Sequence, residues 1–410
     1  MTASRLSRRA VLAGSALASA GFLFEPRAGV AAEPVRDSPV LLCVFLRGAA
    51  DGLNIVVPHA DADYYRLRPS IAVPQPGKRG GAIDLDGRFG LNPRLEPLKA
   101  AFDAKQLALV HAVGSPHPTR SHFEAQDYMQ TAAVGDRTAA QGWLARYLSA
   151  RPAAAPDALR AVALSSRAPL SLRGYRDALV TESLKDFRLG VRGQLEPVLA
   201  KGFRRLYEPE QGGLAERVGQ RALRESELVA RVLSEQKGGK YPREARDFAD
   251  VAKLIKANVG LETAWIDVGG WDTHRYEGGS ERGELPRALE RLGQALAAFR
   301  ADLGASFERV LVVVMSEFGR TARENGTGGT DHGHGNVMLL LGGKVQGGRV
   351  LGSLPGLAAD QLFEGRDLPV TTDFRDVLAE VCERHLGMPD ASALFPGYAL
   401  DRQRRLGFLA

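Results

Sequence analysis

Three near-continuous apolar runs constrain this chain more than any other feature: Val40-Leu-Leu-Cys-Val-Phe-Leu46, Leu107-Ala-Leu-Val-His-Ala-Val113 and Val310-Leu-Val-Val-Val-Met315. Each is short, lacks the polar alternation of a half-exposed strand, and opens into a Gly-containing loop, so each reads as a buried strand. Glu262-Thr-Ala-Trp-Ile-Asp-Val268 adds a fourth strand pattern. Helical spacing fills the intervals. Asn92 to Lys105 puts Leu95, Leu98 and Phe102 on one face with Pro93 in the first turn, Ser121-His-Phe-Glu124 has the form of a capping box, and Glu284 to Leu303 is a long amphipathic pattern. Thr372-Asp-Phe to His385 is a capped amphipathic helix near the end. Asn336 to Leu341 and Arg349 to Leu351, separated by two Gly-Gly pairs, look like a hairpin. Strands alternating with helices imply βαβ crossovers, so the expected class is α/β with a mostly parallel central sheet flanked by helices. Residues 191–257 are charged, Ala/Leu/Arg-rich and helical in period, as expected of helices covering one face of the sheet or forming a cap.

The first thirty residues carry an address. Ser7-Arg-Arg-Ala-Val-Leu12 is a twin-arginine pattern, the stretch to Phe24 is too short and Ala/Gly-rich for a permanent membrane helix, and Val30-Ala-Ala32 supplies small residues for cleavage after Ala32. The expectation is a leader at 1–32, one domain over 33–410, export in the folded state by the twin-arginine translocase to the periplasm or medium, and no stable membrane span. The formal net charge is +6, and a leader with Arg5, Arg8, Arg9 and Arg27 against Glu25 takes half of it away. So small an excess excludes a nucleic-acid footprint. Cys43 lies in an apolar run and Cys382 on a helical pattern, so both read as buried thiols, with a disulfide between them the lesser alternative. Without a CxxC pair, thiolate-ligated metal is not expected.

Chemistry-bearing residues gather just past the apolar runs. Gly328-Gly-Thr-Asp-His-Gly-His-Gly335 packs Asp331, His332 and His334 into four residues; Gly269-Gly-Trp-Asp-Thr-His274 offers Asp272 and His274; Met315-Ser-Glu317 ends a strand on a carboxylate; and Asp51 follows the first strand between alanines and Gly52. Taken separately, a turn aspartate, an Asx turn, a Glu317 ion pair with Arg320 or Arg323, or a polar loop would account for each. Taken together they supply four carboxylates and three imidazoles, enough for one or two divalent ions. Mixed oxygen and nitrogen ligands favour zinc, manganese or iron, with calcium or magnesium also possible. Ser121 is an N-cap by pattern. A helix N-terminus also binds anions, and a hydroxyl placed there can be activated by a metal. Arg120 and His122 flank it as groups for an anionic oxygen, Thr119 is the other hydroxyl of the loop, His117 and His111 are weaker candidates, and His59 and His385 read as structural.

Phe45-Leu-Arg-Gly-Ala-Ala-Asp-Gly-Leu-Asn54, Arg120-Ser-His-Phe-Glu-Ala-Gln-Asp127, Gly269 to His274, Ser316-Glu-Phe-Gly-Arg-Thr321 and Gly329 to Gly335 together resemble the domain of unknown function 1501 family, from about Val40 to Gly397. That family is similar to the alkaline phosphatase and sulfatase superfamily, in which metal ligands and a nucleophile sit at the carboxyl ends of parallel strands. The resemblance implies Asp51 as first-strand ligand, Ser121 as nucleophile, Asp272 and His274 as an Asp/His pair, Glu317 as the acidic group after a strand, and Asp331, His332 or His334 as the late site. Three departures stand out: Asp272 and His274 are two apart where the superfamily pair is usually four apart, Glu-Phe replaces Asp-His at 317 and 318, and no sulfatase formylglycine signature is present. The implied function is hydrolysis of a phosphate or sulfate ester, small-molecule or polysaccharide. The alternative is a non-catalytic envelope or polysaccharide binding protein on the same fold.

Overall fold

A computed structural model describes residues 38–151, 159–187, 195–207 and 213–410; the twin-arginine segment and part of 191–257 lie outside them. The central sheet comprises β1 (Val40–Leu46), β2 (Leu107–Gly114), β3 (Ala161–Leu164), β4 (Ala178–Thr181), β5 (Thr263–Val268), β6 (Val310–Ser316), β7 (Asn336–Gly342), β8 (Arg349–Leu351) and β9 (Thr372–Asp373). Its order is β8-β2-β7-β6-β1-β5-β3-β4, with β9 also on β2. β1 lies between β5 and β6, parallel to both, in registers running to Leu46 opposite Val268 and Ser316. Every pairing in the sheet is parallel except those of β7, which runs antiparallel to both β2 and β6. The chain is α/β with a mostly parallel central sheet.

Burial on both faces explains the apolar runs. Val40, Leu42, Val44 and Leu46 enter one core, and Leu41, Cys43 and Phe45 enter the other. Helix α6 (Glu284–Leu303) covers the first face with Leu285, Leu289, Leu292, Leu296 and Phe299. Helices α2 (Trp143–Ala150) and α7 (Phe374–Glu380) cover the second with Trp143, Tyr147, Phe374 and Val377. The middle helices α3 (Leu195–Leu206), α4 (Leu214–Glu235) and α5 (Arg246–Lys256) follow the helical period of that region, and α4 and α5 supply Val229, Val232, Phe248 and Val251 to the first core. Among the described residues no helix is long and apolar enough to cross a membrane. Cys43 and Cys382 are both buried and free within the second core, and burial raises both thiols far above their ordinary range.

Two local expectations are corrected, and two strands are added. Arg349–Leu351 does not form a hairpin with Asn336–Leu341. It pairs in parallel with β2, because the glycines between them carry the chain across the end of that strand, and a Cβ on Gly347 would meet the Leu107 backbone at 2.2 Å. The helix over 92–105 is a 3-10 segment, Pro93–Leu98, followed by a short α-helix, Lys99–Asp103, because Pro97 lacks the N–H that an α ladder needs. β3 and β4 are four-residue strands that complete one edge, too short to carry a period.

Two core histidines set an acid limit on this fold. His111 contacts the Val56 carbonyl through Nε2 (3.2 Å) and accepts from Ala112 N–H through Nδ1 (3.0 Å), which fixes a neutral ring; His385 Nε2 reaches Val40 O at 2.9 Å. Burial pushes both down from 6.5 to about 4. The unfolded chain therefore binds more protons than the folded one between those values, and stability present above pH 6.5 is lost as pH falls through that window. The expected loss is on the order of 3 kcal/mol per ring, measured by urea denaturation from pH 7 to 4. His111→Gln should flatten the pH profile.

Candidate metal centre

The carboxyl ends of β1, β2, β5 and β6 lie at one edge of the sheet. β7 runs the other way, so its entry loop, not its exit, reaches that edge, and this brings His332 to the residues that follow β5 and β6. Past β5 the chain turns through Gly269 and Gly270, buries Trp271 and presents Asp272 and His274. Past β2 the loop to Ser121 starts helix α1 (His122–Thr131). Arg320, itself buried, clamps these segments together by donating to the carbonyls of Gly48, Ala49, Trp271 and Thr330 and, at 2.6 Å, to Asp272 Oδ1. The approach is close enough that glycine is required: a Cβ on Gly329 would lie 2.4 Å from the carbonyl carbon of His274. Gly329→Ala is expected to push His274 off its partners and weaken zinc binding by about tenfold, measured by chelator competition.

Four side-chain donors converge there. His332 Nε2 lies 3.0 Å from His122 Nε2, 2.9 Å from His274 Nε2 and 3.3 Å from Asp272 Oδ1. Asp272 Oδ1 is 3.1 Å from His274 Nε2 and 3.5 Å from His122 Nε2. The opposite nitrogen of each ring is committed. His122 Nδ1 donates to Glu317 Oε1 at 2.7 Å, His332 Nδ1 to Arg120 O at 2.9 Å, and His274 Nδ1 to Asp331 Oδ1 at 3.2 Å. A carbonyl or carboxylate oxygen only accepts, so the proton of each neutral ring sits on Nδ1, and the Nε2 lone pairs of His122 and His274 both face that of His332 beside a carboxylate, with His122, Asp272 and His332 as the tightest group. One proton can bridge one pair of them; a cation satisfies all four. The separations are close to the roughly 3.3 Å between ligands on a tetrahedral zinc with bonds of about 2 Å. An Nδ1 tied to an oxygen acceptor is the usual support for a histidine that ligates metal through Nε2. The donor set therefore fits a borderline divalent ion of the zinc or manganese kind.

Charge in the site follows from these contacts. The hydrogen bond to Glu317 holds His122 above the ordinary histidine range against the cost of its burial. Burial lowers His332, and the neighbouring His122 lowers it further. Burial raises the Glu317 carboxylate, but donation from His122, Gln126 and Gly48 outweighs it and keeps the group ionised. Asp272 is likewise held low by Arg320 against its partial burial.

The structure brings Asp272, His274 and His332 together, adds His122, and separates the other expected ligands from them. Glu317 and Asp331 stand behind His122 and His274 as acceptors, and Glu317 has no ion pair with Arg320 or Arg323. Asp51 is not available to a metal. It is buried in a two-point pair with Arg68, one arm at 2.9 Å, beside a Glu277 carboxyl that burial and Asp51 push well above the usual carboxylate range. Glu277 also accepts from Thr273 and Thr330, so this network supports both loops of the cluster from beneath. His334 faces away, stacked on Phe363 with centroids 4.3 Å apart. The Arg120 guanidinium is bound by Asp367 and Glu364, leaving only its carbonyl at the site. The expected capping box is absent: Ser121 is exposed and its hydroxyl does not cap the helix, while Glu124 accepts from Thr119 Oγ1 instead. The sequence presents His122 as an anion contact, whereas its ring joins the cluster. Its place directly after a strand-loop-helix start, matched by a lone carboxylate at Glu317, was the available sign of a ligand.

Residues 39–394 match the family described as "Protein of unknown function (DUF1501)". No curated protein matches the sequence. Among solved structures, the zinc complex of the C-terminal periplasmic domain of EcEptC from Escherichia coli is similar at 8% identity over 77% of each chain, with a TM-score of 0.37. The lipoteichoic acid synthase LtaP from Listeria monocytogenes is similar at 11% identity over 77% of this chain and 69% of that one, with a TM-score of 0.35. The phosphonate monoester hydrolase of Agrobacterium radiobacter is similar at 11% identity over 85% and 74%, with a TM-score of 0.28. Likeness this distant carries no argument about chemistry, which rests on the side chains.

Proposed function

Because the chain belongs to the DUF1501 family, whose function is unassigned, we propose from its own side chains that it is an exported metal-dependent hydrolase of a phosphate or sulfate ester. The observation that carries this reading is the convergence of the three histidine Nε2 atoms on Asp272 Oδ1, with every Nδ1 tied to an oxygen acceptor. His122, Asp272, His274 and His332 would hold one zinc or manganese ion. When bound, that ion supplies positive charge beside the ester oxygens and lowers the pKa of a nearby hydroxyl. Ser121 is the nucleophile in this reading. It lies in sequence between Arg120, whose carbonyl orients His332, and His122, and its hydroxyl is free of the capping duty that its pattern suggests. Thr119 is the weaker candidate, since its hydroxyl is engaged by Glu124 at 2.5 Å. The unpaired N–H groups at the start of α1 can receive an anionic oxygen. Arg320 keeps Asp272 ionised and aimed, while Glu317 and Asp331 hold the tautomers of His122 and His274. The twin-arginine pattern at Ser7–Leu12, within the leader read at 1–32, supports export of this chemistry after folding and metal loading.

The test is turnover of p-nitrophenyl phosphate and p-nitrophenyl sulfate by the zinc-loaded mature protein. Ser121→Ala is expected to lower kcat by at least about a thousandfold while costing less than the roughly 1 kcal/mol of a lost N-cap. A second reading, a metal-bearing binding protein without turnover, is favoured by the engagement of Asp51 with Arg68 and of Arg120 with Asp367 and Glu364. Stoichiometric zinc with no hydrolysis of either ester would establish it.

A further inference from the structure

Beside the metal cluster lies a pocket of about 260 Å³ whose lining includes Arg66, Arg323, Arg366, Thr321, Asn325 and Asp331. It is joined to the cluster by two of these residues. Asp331 is the partner of His274 Nδ1, and Arg366 donates to the His332 carbonyl at 2.7 Å. A volume below the range of whole-ligand sites suits one small group. The lining chemistry selects its sign. The Glu324 carboxylate, also in the lining, is turned to Ser70 and Ile71, from which it accepts two backbone N–H bonds and a hydroxyl bond, and Asp331 is occupied by His274 and Asn325. Of the arginines, Arg66 pairs with Asp63 while remaining largely exposed, Arg366 reaches Asp367 only at 3.6 Å, and exposed Arg323 meets no carboxylate among the described residues. Three guanidinium groups, one of them shared with Asp63, outnumber the two lining carboxylates, both of which are turned to other donors, and such a lining suits an oxyanion.

Resting on the hydrolase reading above, we propose that this pocket is a second anion subsite, and that the substrate is an ester carrying a further phosphate, sulfate or carboxylate group in addition to the one held at the metal cluster. The preference is for polyanionic esters over singly charged ones.

Isothermal titration of the zinc-loaded mature protein with fructose 6-phosphate and fructose 1,6-bisphosphate separates this inference from the reading beneath it. The bisphosphate is expected to bind at least about tenfold more tightly, and Arg323→Ala combined with Arg66→Ala, both at exposed positions, is expected to cut that ratio to below about threefold. Equal affinity of the wild type for the two sugars, or a ratio untouched by the double substitution, would overturn the second subsite and leave the metal-centred reading standing. Absence of binding by either sugar would likewise overturn the second subsite, while absence of turnover of the p-nitrophenyl esters is what removes the hydrolase reading beneath it.

Discussion

Zinc is expected to stabilise the wild type thermally, and His332→Ala is expected to abolish that stabilisation and to lower zinc affinity by more than about a hundredfold. Its Nε2 is the common neighbour of His122, His274 and Asp272, so deleting it removes the donor that the other three share. A ligand that binds only the folded state at a thousand times its Kd stabilises by about 4 kcal/mol, and that increment should vanish in the variant. Glu317→Gln should behave differently. It keeps the shape behind His122 but replaces a buried carboxylate whose Oε1 alone accepts from His122, Gln126 and Gly48, so a loss of roughly 10- to 100-fold in affinity is expected, as for other residues that orient a ligand without touching the ion. Chelator competition and melting curves with and without zinc measure both. His334→Ala serves as the contrast: its ring stacks on Phe363, so it should cost packing and leave zinc affinity within about twofold.

The largest effect on stability is expected at Arg68. Its guanidinium is fully buried and neutralises Asp51, and Arg68→Met strands that carboxylate in the core at a cost of about 3–5 kcal/mol. The pH dependence identifies the cause. In the wild type, burial would raise Asp51 but Arg68 outweighs it and holds the group below its ordinary value, so its contribution is present at neutral pH and lost as pH falls through the folded pKa. In the variant burial acts against only the weaker support of Glu277 and Arg320, the folded pKa rises, and the deficit shrinks as pH falls and Asp51 takes up a proton. Urea denaturation at pH 7 and 5 should show the gap between wild type and variant closing at the lower pH. Asp51→Asn in the Arg68→Met background should recover most of the loss at pH 7, since no charge is then left unpaired.

The sheet was legible because burial on both faces leaves an unbroken apolar record: Val40–Leu46 alternates between two cores and so shows no polar residue at all. Asp272, His274 and His332 were legible for the opposite reason, since glycine loops beyond buried strands have little structural use for them. Partnership was not legible. Nothing local in the sequence says that Arg68, seventeen residues on, neutralises Asp51, that Arg320 turns to Asp272 and not to Glu317, or that Arg120 spends its side chain on Asp367. The reversed direction of β7 was equally hidden. Parallel and antiparallel strands buried on both faces share the same composition, and only the pairing of Leu339 with Val314 and of Asn336 with Val113 fixes why the His332 loop lies at the carboxyl edge. The role of His122 depended on that same geometry, because its carboxylate partner lies 195 residues away in sequence.

The central claim is that three imidazoles and one carboxylate, drawn from separate loops, hold one cation. Zinc K-edge X-ray absorption of the reconstituted mature protein addresses it directly. The account predicts one equivalent of zinc with nitrogen and oxygen scatterers at about 2 Å, the outer-shell signature of two or three imidazoles, and no sulfur. Zinc that is not retained, or a first shell of sulfur or of oxygen alone, would contradict it.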